Sequence, residues 1–124
     1  MQESPYKGKT GVKRVFNALM YSLDGMKAAL QYEDAFRQEM LLSVVLIPLA
    51  LYLERNAVER VLMIASVLFV LVVELLNSAV EAAVDRISLE HHHLIKRAKD
   101  MGSAAVLISL LNVLVVWGLI LLGG

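Results

Sequence analysis

A chain of 124 residues has room for one domain, and 58% hydrophobic content with a mean hydropathy of +0.64 lies far outside the soluble balance, which puts the membrane class first. Its 12 basic and 12 acidic side chains cancel, so no global field points to nucleic acid or an acidic partner. With no cysteine, thiol redox chemistry and a disulfide framework are excluded.

Residues 1–10 carry Pro5, Gly8, Lys7 and Lys9 without periodicity and read as a loose basic arm. The first thirty residues hold no apolar core of a cleavable signal peptide, so the first hydrophobic stretch is expected to direct insertion itself. Val12, Val15, Phe16, Leu19, Leu23, Met26 and Leu30 then recur at helical spacing, with Lys13, Arg14, Asn17, Tyr21 and Asp24 on other faces. This predicts an amphipathic helix over 12–33 lying on the membrane, its basic residues suited to an anionic leaflet; the plainer alternative is a soluble helix on a core.

Residues 31–39, QYEDAFRQE, form a dense polar hinge expected near the headgroups. The apolar run that follows predicts a first crossing over 36–54, with Pro48 as a possible kink site. Residues 54–60 are too short to be more than a charged turn, and a second crossing with a cytoplasmic extension is predicted over 57–85. Residues 86–101 are hydrophilic and read as the largest exposed connection. A third crossing over 101–122 is interrupted only by Ser109 and Asn112, with Trp117 an interfacial candidate. The fold class is therefore all-α, with three transmembrane helices and an N-terminal surface helix.

Ten of the 12 basic residues lie ahead of the apolar run that starts at Met40 or between the second and third crossings; only Arg55 and Arg60 lie in the other connection. The positive-inside rule then places the amino terminus and the histidine-containing connection in the cytoplasm, and residues 54–60 and the carboxyl terminus outside. Glu33, Glu74, Glu81, Glu90, Lys99 and Asp100 consequently gather at one face although they are scattered in sequence.

The chemistry concentrates in residues 74–85, ELLNSAVEAAVD. Glu74, Asn77, Ser78, Glu81 and Asp85 share a stripe roughly a third of a turn wide on an otherwise apolar helix. Carboxylates so placed are costly and suggest function, although a protonated carboxyl bonded to a neighbouring helix is the bland account of Glu74. Ser78 reads as interhelical glue, and Asp85 beside Arg86 as an ion pair or a helix-end charge. Carboxylates from two segments beside a lysine suit magnesium and a nucleotide, but there is no GxxxxGK[ST] loop and no GxGxxG, so spacing alone supports a metal site only weakly. His91, His92 and His93 diverge by about 100° per residue on a helix and make a poor zinc site.

ELLNSAVEAAVDRIS, RAKDMGSAAVLIS and YEDAFRQE together resemble the bacterial integral-membrane diacylglycerol kinase family, over roughly residues 11–117. The RISxEHHxL and RAKDMGSAA wording is closer to the Gram-negative diacylglycerol kinases than to their undecaprenol-kinase relatives, which remain the alternative within the class. A non-catalytic scaffold or transporter subunit is the alternative outside it. The resemblance implies a homotrimer with shared active sites in the bacterial inner membrane, the site cytoplasmic and the C-terminus periplasmic. It implies transfer of the γ-phosphoryl group of ATP, with Mg²⁺, to the hydroxyl of diacylglycerol, giving phosphatidic acid. Glu74 then resembles the catalytic base, with Asn77 supporting it, and Glu33 and Glu81 resemble the metal-binding carboxylates. Arg14, Tyr21, Glu33, Glu81, Glu90, His91, His92, Lys99 and Asp100 resemble nucleotide-binding positions. Arg14, Ala35, Phe36, Arg37, Gln38, Glu39, Glu74 and Ser103 resemble the lipid-facing lining. Leu89, His91 and Asn17 depart from the family pattern, which commonly has a glycine, an aromatic and a basic residue there; the glutamates, Asn77 and the RAKD block are intact.

Overall fold

The long helix that contains the acidic stripe is the element against which the others pack. The computed structural model describes residues 11–87 and 93–123 and consists of four helices: α1 (Gly11–Tyr32), α2 (Asp34–Tyr52), α3 (Ala57–Ile87) and α4 (His93–Leu122). α3 packs most extensively on α4, then on α2, while α1 touches α2 and α3 only sparsely. Three helices, α2, α3 and α4, are long and apolar enough to cross a membrane.

Length explains why chemistry accumulates at one end. At 1.5 Å per residue, the 31 residues of α3 and 30 of α4 extend roughly 45 Å, whereas a hydrocarbon core is about 30 Å thick. Asn56 fixes the start of α3, its side-chain Oδ1 accepting the Glu59 N–H at 2.8 Å as an N-cap. Both helices therefore exceed a crossing by about a third, and the acidic stripe of α3 and the HLIKRAKD start of α4 share the end away from residues 53–56. α4 begins well before the expected third crossing: HLIKRAKD is hydrophilic but contains no glycine or proline, and its good helix formers carry the helix on outside the apolar region.

The 31–39 hinge condenses to one non-helical residue. Glu33 adopts φ −116°, ψ 109°; its N–H closes α1 onto Ala29 O at 2.9 Å, and its carbonyl accepts from Arg37 N at 3.1 Å to open α2. Arg37 reaches back with Nη1 to the carbonyls of Leu30 at 3.0 Å and Gln31 at 2.9 Å, while Nη2 pairs with Asp34. It thus satisfies carbonyls that the end of α1 leaves without partners.

In lipid, apolar surface gives helices little reason to associate, so close packing and satisfied polar groups hold the spans together. Ala50, Met63, Val67 and Trp117 form the buried cluster near the 53–56 connection. Trp117 Nε1 donates to Met63 O at 3.1 Å, tying α4 to α3. The buried serines 43, 66 and 109 donate to the carbonyls of Met40, Met63 and Val106 at 2.7–2.8 Å, so each is small and already satisfied within its own helix. Arg55 in this connection and Arg60 in the first turn of α3 also cap helices: Arg55 Nη1 donates to Ile120 O at 3.1 Å and Arg60 Nη2 to Leu53 O at 2.8 Å. Trp117→Phe should lower unfolding stability in detergent by about 1 kcal/mol, the scale of one lost hydrogen bond, and leave activity per folded molecule unchanged.

Candidate active site

At the opposite end from Trp117, α3 turns its polar stripe toward α2 and α4. Asn77 and Met63, both on α3, are separated by about 21 Å of helix, and α4 runs antiparallel alongside so that Gly102 meets Asn77 as Trp117 meets Met63. The site is thus assembled by the register of one helix pair and completed by the α1–α2 break.

Glu74 is buried, with 5% of its surface exposed, and its Oε2 has no hydrogen-bond partner among the described residues. Three further carboxylates lie within electrostatic reach of it: Glu81 one face along α3, Glu33 at the break, and Glu39 on α2. Glu39 likewise has a buried, unpartnered Oε2. Four acids from three segments thus converge, and the nearby cations are committed elsewhere. Lys99 Nζ pairs with Asp85 Oδ1 at 2.7 Å, Lys96 Nζ with Asp100 Oδ2 at 2.7 Å, and Arg37 with Asp34. These ion pairs are largely exposed, where such pairs contribute little stability. Lys99–Asp85 is better understood as holding a cation between α3 and α4, within electrostatic reach of Glu81. Asp85 therefore pairs with Lys99 and not with its neighbour Arg86, because the helix pair brings Lys99 across to it.

Asn77 Nδ2 faces Glu81 Oε1 at 3.5 Å, and its Oδ1 is buried against Gly102. Among the described residues no three acidic or histidine side chains are arranged to hold a metal ion by themselves. Of the nucleotide candidates, Arg14 and Tyr21 lie on the exposed α1, while Glu90, His91 and His92 fall outside the described residues.

The lipid-lining stretch divides. Ala35 and Gln38 are exposed, Glu39 lies within electrostatic reach of Glu74, and Ser103 is exposed on α4. Phe36 is fully buried, with 0% of its surface exposed, and Arg37 is engaged in capping α1, so both have structural tasks in this chain. A groove of about 670 Å³ runs between α1 and α3, lined chiefly by small and apolar residues including Gly25, Ala29, Leu75 and Ala79, with Glu33 and Ser78 beside them. Ser78 is therefore a groove-lining residue. Gly102 carries no role in the sequence reading, and its only linear trace is a glycine within an unbroken helical pattern.

Three helices long and apolar enough to cross a membrane, with buried carboxylates gathered toward one end, define a small multi-pass membrane protein. Comparison with known proteins narrows the class. The pattern of the prokaryotic diacylglycerol kinase family matches residues 20–121. The diacylglycerol kinase of Pseudomonas aeruginosa is 58% identical over 123 residues, covering 99% of this chain and 100% of the relative. That of Haemophilus influenzae is 53% identical over 112 residues, with 90% and 95% coverage, and that of Escherichia coli 48% identical over 112 residues, with 90% and 92%. The chain belongs to the prokaryotic diacylglycerol kinase family.

Proposed function

We propose that this protein transfers the γ-phosphoryl group of MgATP to the free hydroxyl of diacylglycerol, giving phosphatidic acid and ADP, with Glu74 as the general base. The observation that carries the reading is Glu74 itself, a buried carboxylate with an oxygen that has no partner among the described residues, in a chain of this family. An alcohol held there meets an acceptor for its proton, and a positioned base of this kind contributes about 10²–10⁴-fold to rate.

The acidic surroundings fit a divalent cation that arrives with the nucleotide. Four carboxylates converge without a committed counter-cation, and hard oxygen donors suit magnesium. Glu33 and Glu81 would hold it, and when bound it supplies charge neutralisation at the phosphates. Asn77 orients Glu81 from the adjacent turn. Lys99 exchanges Asp85 for phosphate oxygens, and Asp100 with Lys96 borders the nucleotide. Glu39 keeps the lipid end of the site polar beside Glu74, and the α1–α3 groove has the apolar lining an acyl chain requires.

The working unit in this reading is a homotrimer with sites shared between protomers. One observation supports it: α3 leaves Val61, Leu68, Phe69, Val72, Leu76 and Val80 exposed along one stripe. The protein is placed in the bacterial inner membrane with the site cytoplasmic. The basic-residue bias supports that orientation, since Arg55 and Arg60, the two exceptions, are engaged as helix caps.

The test offers the purified protein diacylglycerol and undecaprenol in separate mixed micelles with γ-labelled ATP and magnesium. Label should enter phosphatidic acid in preference; faster labelling of undecaprenol would reassign the substrate, and no transfer to either alcohol would refute the kinase reading.

A further inference from the structure

Gly102 lies ten residues into α4, where glycine is among the poorest helix formers, so the absence of a side chain calls for a reason. A Cβ placed on it would collide with Asn77 Oδ1 and stand 3.1 Å from Asn77 Cγ and 3.9 Å from Asn77 Cβ. The same Oδ1 is buried and has no hydrogen-bond partner among the described residues, while Nδ2 faces Glu81 Oε1 at 3.5 Å. Gly25 and Gly118, by contrast, would meet nothing within 4 Å. The orientation of the amide is chemically consistent: the donor must face the carboxylate, which leaves the oxygen directed at the glycine, where a Cα–H is the available weak donor.

We propose that Gly102 is a positioning residue whose bare Cα forms the slot for the Asn77 carboxamide, with Oδ1 against α4 and Nδ2 held toward Glu81. The inference rests on reading Glu81 as part of the MgATP site. A methyl group at Gly102 occupies the place of Oδ1; the carboxamide must rotate, Nδ2 leaves Glu81, and the carboxylate loses its orienting donor. The backbone has no reason to break, because the obstructing atom is the end of a side chain.

The test compares Gly102→Ala, Gly118→Ala, Asn77→Ala and the Gly102→Ala/Asn77→Ala double variant in micelles at saturating diacylglycerol, varying MgATP and following thermal unfolding in parallel. Gly102→Ala should raise the KM for MgATP about tenfold, the scale of losing a partner that orients a metal ligand, with a smaller change in kcat and no fall in the unfolding midpoint. Gly118→Ala should match the wild type in both. On the Asn77→Ala background the Gly102 substitution should add nothing, as expected of two groups acting through one contact. Multiplying effects, an unchanged KM in Gly102→Ala, or activity lost only in proportion to protein unfolded would overturn the slot. If Gly102→Ala yields no folded protein, the double variant decides: removing the obstructing carboxamide restores folding if the slot exists, and fails to if the glycine serves the fold itself. Wild-type MgATP handling in Asn77→Ala alone would instead refute the underlying reading of the site.

Discussion

Glu74→Gln is expected to abolish lipid phosphorylation while leaving MgATP binding within the wild-type range. The amide matches the carboxylate in size but cannot accept the proton of the lipid alcohol, so the loss should approach the full contribution of a positioned base, about 10²–10⁴-fold. A second consequence follows from the surroundings. Glu74 is buried with Glu33, Glu39 and Glu81 in electrostatic reach and no cation among the described residues paired to it, so its charge costs the fold both desolvation and repulsion. Removing that charge should leave the unfolding midpoint unchanged or raise it. Higher stability with lost turnover is what a base held at the expense of the fold predicts. Near-normal phosphorylation by this variant would remove Glu74 from the mechanism.

Glu81→Gln should act on a different variable. If Glu81 holds the cation that accompanies ATP, the variant needs at least about tenfold more magnesium for half-maximal rate, and saturating magnesium recovers part of the lost rate. Because Asn77 Nδ2 faces Glu81 across 3.5 Å, part of the effect should be shared with Asn77→Ala. A magnesium titration that superimposes on the wild type would exclude Glu81 as a ligand, whatever happens to the maximal rate. Separating a base that changes kcat from a ligand that changes metal demand distinguishes two carboxylates less than two turns apart on one helix.

The helices and the stripe are legible in the sequence for a simple reason. Both depend on periodicity within one segment, and Val61 through Asp85 carries it without interruption. The details that depend on two segments are not legible. Asp85 has an arginine as its neighbour in the chain, yet pairs with Lys99 because α3 and α4 lie antiparallel. Hydrophilicity suggested a connection through residue 101, whereas a helix is ended by glycine, proline or a lost partner, and His93–Leu122 meets none of these in HLIKRAKD. YEDAFRQE looks like a uniform polar hinge, but only Glu33 leaves the helical path. Phe36 disappears into the interior, and Arg37 turns back to cap α1. The clearance between Gly102 and Asn77 is invisible in one dimension, since a missing Cβ acquires meaning only from the atom that fills its place. Arg55 and Arg60 illustrate the same limit: charge counting sees two exceptions to a bias, and packing shows two caps.

The most direct test of the central claim is the stoichiometry of the wild-type reaction. Purified protein in detergent micelles is given MgATP with and without diacylglycerol, and ADP and phosphatidic acid are measured together. ADP should appear only when the alcohol is present, one molecule for each phosphatidic acid formed. ADP release that is indifferent to diacylglycerol, or diacylglycerol left unphosphorylated while ATP is intact, would contradict it.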